Sequence, residues 1–194
     1  MSRIASVALC VLLLPAASMM RAQELQTAQS PKIDVAVTFT AERSLRSATS
    51  DSFWMQGGSI ELGTNTWRGL GIAANVSGTH TGAVGETTIP LSIVTATFGP
   101  RYRWHADHRL SIYVEGLIGE ANGFKSLFPT VTGSQTSANS LAAQVGGGVD
   151  YRLSQHVAVR VAEAAWQHTQ LPNGTNNIQN DLRLGAGILL RFGR

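Results

Sequence analysis

Few residues of this chain have the type and spacing to do chemistry. A hydrolytic site needs a nucleophile, a histidine base and an acidic residue to orient it. His168 beside Thr169, with Glu163 a short way upstream, comes nearest to that set. It offers a threonine where serine is expected, and histidines in polar loops are commonly plain surface residues, so no catalytic residue is expected. His105 and His108 share one short turn, but two histidines make a poor metal site, which takes three or four ligands. No metal and no cofactor is therefore expected. Gly146 to Gly148 is not a phosphate loop, because no helix follows to present its amides. Glycines in a strand more often permit curvature and close packing.

Scattered charges remain: Glu61, Arg101, Arg103, Glu115, Asp150, Arg160, Arg183 and Arg191. They matter only through the elements that carry them. The N-terminus comes first, since residues 1–22 have the layout of an export signal. Arg3 supplies the positive start, Ile4 to Pro15 a short apolar core, and Ala16, Ala17 and Ser18 the small-residue stretch. That core is shorter than the roughly 20 apolar residues of a membrane helix. Cleavage after Ala22 removes Arg3 and Arg21 from the 15 basic residues, which face 12 acidic ones, so the mature chain is close to neutral. It has no Lys/Arg cluster of the kind that binds phosphates, and nucleic acid is not an expected partner. The one cysteine, Cys10, lies in the signal core, which leaves the mature protein without a disulfide. A short periplasmic segment, 23–32, is expected to precede the folded domain at 33–194.

From residue 33 the dominant signal is alternation with period two, the mark of strands with one apolar face. It reads as eight strands. The first sets Ile33, Val35, Val37 and Phe39 against Asp34, Thr38 and Thr40; the last sets Leu182, Leu184, Ile188, Leu190 and Phe192 against Arg183, Gly185, Gly187 and Arg191. In the seventh, Glu163 falls on the apolar face, and a bulge near Ala162 would return it to the polar side. Pro100 inside the fourth donates no ladder hydrogen bond. Short connections (64–66, 105–108, 153–155) alternate with long polar ones, among them the regions 122–136 and 172–177. Strict alternation gathers all long loops at one end of an antiparallel up-and-down barrel, as in outer-membrane barrels.

Alternation alone does not separate a membrane barrel from a soluble secreted ligand-binding barrel. The polar face does. A water-exposed sheet carries long charged side chains, lysine above all, yet both lysines, Lys32 and Lys125, lie outside the expected strands. Glycine, alanine, serine and threonine with the charges named above suit the narrow interior of an eight-stranded barrel. Unpaired charges there are costly, so an internal ionic network that plugs the lumen is expected. On the apolar face, Tyr102, Trp104 and Tyr151 fall at the short-turn end and Trp54 and Trp166 at the long-loop end, the heights of a bilayer interface.

The stretches FGPRYRW (Phe98 to Trp104), GGGVDYRL (Gly146 to Leu153) and LRLGAGILLRF (Leu182 to Phe192) resemble the small eight-stranded outer-membrane barrels of the OmpA/OmpX type. The resemblance covers nearly all of 32–194. It implies a transmembrane barrel in the bacterial outer membrane, surrounded by outer-membrane lipid and lipopolysaccharide. It also implies that Phe192, near the chain end, is the signal read by the barrel-assembly machinery, although Gly193 and Arg194 follow it. The expected role is structural, adhesive or envelope-maintaining, with the external loops as contact surface and their partner unknown. A narrow gated pore and a lipid A-modifying enzyme are the alternatives, since some barrels of this size are lipid A deacylases or acyltransferases.

Overall fold

The computed structural model describes residues 32–45, 52–106, 108–174 and 176–193. The expected export signal and all but the last residue of the segment 23–32 lie outside them. Eight strands follow one another: β1 Lys32–Ser44, β2 Trp54–Asn65, β3 Leu70–Thr81, β4 Leu91–Trp104, β5 Leu110–Thr130, β6 Gly133–Arg152, β7 Val157–Thr169 and β8 Gln179–Phe192. Each pairs antiparallel with the next, and β8 pairs with β1, Ile33 opposite Phe192, so the sheet closes. Closure leaves no edge and satisfies the strand backbones without water.

The apolar face is the outside. Phe39 and Phe98 are each 64% exposed and Val145 62%, and Ile60, Ile72, Val76, Ile118, Leu184 and Ile188 share that surface. Inside, Arg101 is 1% and Arg183 0% exposed. In water such a surface would forfeit its hydrophobic driving force. Against acyl chains it is the favourable arrangement. The outward apolar runs Ile33–Ala41 on β1 and Leu182–Phe192 on β8 match the roughly 9–11 residues a tilted strand needs to cross a bilayer.

At one end the turns are tight. The β2–β3 turn places Arg68 (φ 48°) and Gly69 (φ 88°) in the left-handed region, and the β4–β5 turn does the same with His105 (φ 53°). In the β6–β7 turn the Ser154 hydroxyl accepts from the amides of His156 and Val157. At the other end, one connection differs from expectation. Region 122–136 is mostly paired strand: Asn122 faces Asn139, Phe124 faces Ser137 and Phe128 faces Gln135, with a register shift between Phe124 and Phe128. Apart from Phe128, which is buried in an apolar cluster, the side chains near its tip are exposed, so it carries no apolar-polar alternation and reads as a loop.

Two irregularities serve the interior. The β7 register shifts by one against β8 between Arg160 and Glu163, and against β6 at Val149/Asp150, which turns Glu163 inward. Pro100 is accommodated without a slip: it faces Ile72 on β3, while the β4–β5 ladder skips Gly99 and Pro100 and resumes in register.

Candidate functional site

The lumen holds an ionic lattice, and alternation explains how its members meet. Inward positions of seven strands supply Asp34, Glu61, Arg101, Arg103, Tyr113, Asp150, Arg160, Glu163 and Arg183, all buried. Arg101 donates from Nη2 to Asp34 Oδ1 (2.6 Å) and from Nη1 to Glu61 Oε1 (2.9 Å). Arg160 donates to three carboxylates: Glu61 Oε1 at 2.9 Å, Asp150 Oδ1 at 3.2 Å and Glu163 Oε2 at 2.7 Å. Arg103 bonds Asp150 Oδ2, Asp34 Oδ2 (3.4 Å) and the Ser111 hydroxyl (3.2 Å). Arg183 donates to Glu163 Oε1 at 3.2 Å. Asp34, Glu61, Asp150 and Glu163 each touch two guanidiniums. Such sharing offsets the cost of taking these charges out of water.

Tyr113 stands at the centre. The guanidinium carbons of Arg160, Arg103 and Arg101 lie 4.4, 5.3 and 5.9 Å from its ring centroid, within range of cation–π attraction. Its hydroxyl donates to Glu163 Oε2 at 3.1 Å. Glycine makes the room. A Cβ on Gly148 would sit 2.8 Å from Tyr113 Cε1, and one on Gly63 only 1.8 Å from Arg101 Nη2.

Two expected members stand apart. Glu115 makes no ion pair among the described residues; Gln144 Nε2 donates to its Oε1 at 3.4 Å. Arg191 is half-buried at the short-turn end, donating to the Ala106 carbonyl and the Ser111 hydroxyl, both at 3.3 Å. Conversely, Asp34, Tyr113 and Glu163 belong to the lattice but not to the expected charge set. Inward parity was the available signal for Asp34 and Tyr113, and the bulge for Glu163; their partners were not readable, since these contacts join strands across the closed barrel.

The residues considered for catalysis are separated. Glu163 is held by arginines inside the barrel. His168 faces outward, stacked on Trp166 at 5.9 Å and bonded through Nδ1 to Asn180 Oδ1 at 3.0 Å. Thr169 points inward and donates to Gln179 Oε1 at 3.3 Å. The His105 and His108 rings meet edge-on at 5.1 Å, and among the described residues no group of three or more His, Cys, Asp or Glu could hold a metal.

On the outer surface Trp104 and Tyr151 are exposed near the tight turns, with Tyr102 packed edge-on against Trp104 at 4.5 Å. Trp67, in the β2–β3 turn, joins them and was not anticipated. Trp54, with Arg43 at 5.7 Å from its ring, and Trp166 occupy the long-loop end. Phe192 is exposed at the end of β8.

The family profile for the outer membrane protein beta-barrel domain matches residues 8–192. The chain belongs to that family. This outer-membrane barrel has the fold of the attachment invasion locus protein Ail of Yersinia pestis, at 15% identity and TM-score 0.56, covering 84% of this chain and 99% of Ail. It is similarly related to Neisserial surface protein A (15% identity, TM-score 0.59, 82% and 97% covered). The outer membrane protein OprG of Pseudomonas aeruginosa matches at 11% identity and TM-score 0.56, with 88% and 100% covered. No curated protein sequence matches the chain. The barrel is thus an integral protein of the bacterial outer membrane, set in its lipid and lipopolysaccharide.

Proposed function

We propose that this barrel is a non-conducting envelope protein whose work is done by its external surface, as a structural or adhesive element, and not by chemistry in the lumen. The observation that carries this is the closed interior. The ion pairs link β1, β2, β4, β6, β7 and β8 across the axis, with Tyr113 of β5 wedged among the guanidiniums. An ion entering this lattice would have to break several buried charge pairs, each costly to open.

The external end supports a contact role. β5 and β6 have 21 and 20 residues, against 12 to 14 in the other strands, and extend as a paired arm. Leu127 and Val131 near its tip are exposed. Exposed apolar side chains on an ordered scaffold suit recognition of another surface. The similar fold of Ail, an attachment invasion locus protein, is consistent with such a role. In the same reading the outward Trp and Tyr residues anchor the barrel at both bilayer interfaces, and Phe192 is the residue presented to the barrel-assembly machinery.

Planar-bilayer recording tests the central point. The refolded barrel is expected to add no steady conductance; a large, steady one would overturn the plugged-lumen reading. Loss of surface binding by cells carrying an arm-deleted variant would support the contact role.

A further inference from the structure

The lumen changes character toward the external loops. There Met55, Ile93, Phe128 and Leu171 pack together, with Phe53 and Leu91 against them. Beside this cluster lies a cavity of ≈ 260 Å³, to which the loops contribute Leu45, Val84 and Pro172. Most of its wall is apolar. Ser44, Gln179 and Asp181, on neighbouring β1 and β8, form the polar side.

The charges under that polar side are not balanced as they are deeper in the barrel. Each of Asp34, Glu61, Asp150 and Glu163 contacts two guanidiniums. Glu42 and Asp181 contact none among the described residues. They stand one inward step apart, since Glu42 pairs in register with Arg183 and Ser44 with Asp181. Asp181 accepts a hydrogen bond from Ser44. Among the described residues Arg183 is the only cation acting on Glu42, and it already donates to Glu163. Glu42 Oε1 has no hydrogen-bond partner among the described residues. Glu42 therefore has part of one guanidinium and Asp181, on the wall of an apolar cavity, has none among the described residues.

We propose that the cavity binds a small amphiphilic amine, its apolar body against Phe53, Ile93 and Leu171 and its ammonium beside Asp181. A cationic end group supplies the partner that Asp181 lacks, and it can donate to Asp181, Ser44 or Gln179. A cavity of about 150 Å³ lined by apolar side chains holds benzene. By that measure this one accommodates roughly ten non-hydrogen atoms. Ser126 to Pro129 of the arm line the cavity as well, but amine binding to the full barrel is read apart from any contact the arm makes with another surface.

The test uses the full barrel refolded in lipid nanodiscs, titrated calorimetrically with phenethylamine and with the neutral phenethyl alcohol, against empty nanodiscs. Saturable binding at one site is expected, about tenfold or more tighter for the amine, as a charge-assisted hydrogen bond implies. Asp181→Asn should bring the amine down to the affinity of the alcohol. Leu91→Trp, which fills the cavity from the start of β4, should abolish binding of both. Amide shifts in the unsubstituted barrel, confined to Phe53, Leu91, Ile93 and Asp181, provide the same test should a variant fail to fold. No saturable binding above empty nanodiscs, equal affinities for the two probes, an amine preference that survives Asp181→Asn, or shifts elsewhere would each overturn the proposal.

Discussion

Replacing Arg160 with methionine removes the hub of the lattice while keeping a side chain of comparable length. Three carboxylates lose a donor: Glu61, Asp150 and Glu163. Each keeps one other guanidinium, from Arg101, Arg103 and Arg183 respectively. The lattice is then left with three guanidiniums for four carboxylates, and Tyr113 loses its nearest cation, at 4.4 Å. Removing one partner of a buried charge pair costs about 3–5 kcal/mol, which is about two to four powers of ten in the folding equilibrium. Urea titration of the barrel in phospholipid vesicles, followed by tryptophan fluorescence and heat-modifiable migration, measures that loss. Arg160→Met combined with Glu163→Gln removes the surplus charge and is expected to regain a substantial part of it. A loss for Arg160→Met below about 1 kcal/mol, the scale of a surface pair, would refute the idea that the lattice bears stability.

The other expectations concern separate parts of the molecule. Gly63→Val should displace the Arg101 guanidinium, which leaves no room for a Cβ, and destabilise the barrel by about 1–3 kcal/mol in the same titration through overpacking. Val94→Arg, on the outer face, should cost up to about 2–4 kcal/mol if that face lies near the bilayer midplane. Val131→Asp, at the fully exposed arm tip, should change stability by no more than about 0.5 kcal/mol while weakening whatever surface contact the arm makes, read by cell-binding assays.

The barrel was legible because the bilayer enforces a rule on every crossing strand. Apolar residues such as Val37, Phe39, Ile72 and Leu184 must point out, and the narrow interior takes mostly small or paired residues between them. That rule lapses where the bilayer ends. The β5–β6 arm past Asn122 is exposed toward its tip and reads as a loop, and Met55, Ile93 and Phe128 break the alternation because the lumen near its external mouth is apolar. The charges could be assigned to the interior from parity, but not to partners. Arg103 reaches Asp34 and Asp150 across the closed barrel, and such pairings depend on stagger and closure, which no local pattern encodes. The same limit explains Arg191, inward in parity yet too near the short-turn end to join the lattice. Glu163 was recoverable because its misplaced charge signalled a bulge.

The account stands on which surface meets lipid, and that can be measured directly. In nanodiscs, nuclear Overhauser contacts from Ile72, Val94 and Leu184 should run to acyl-chain protons and not to water. The Arg101 and Arg183 side chains should show no lipid contact. Water at those three apolar positions, with lipid against either arginine, would contradict it.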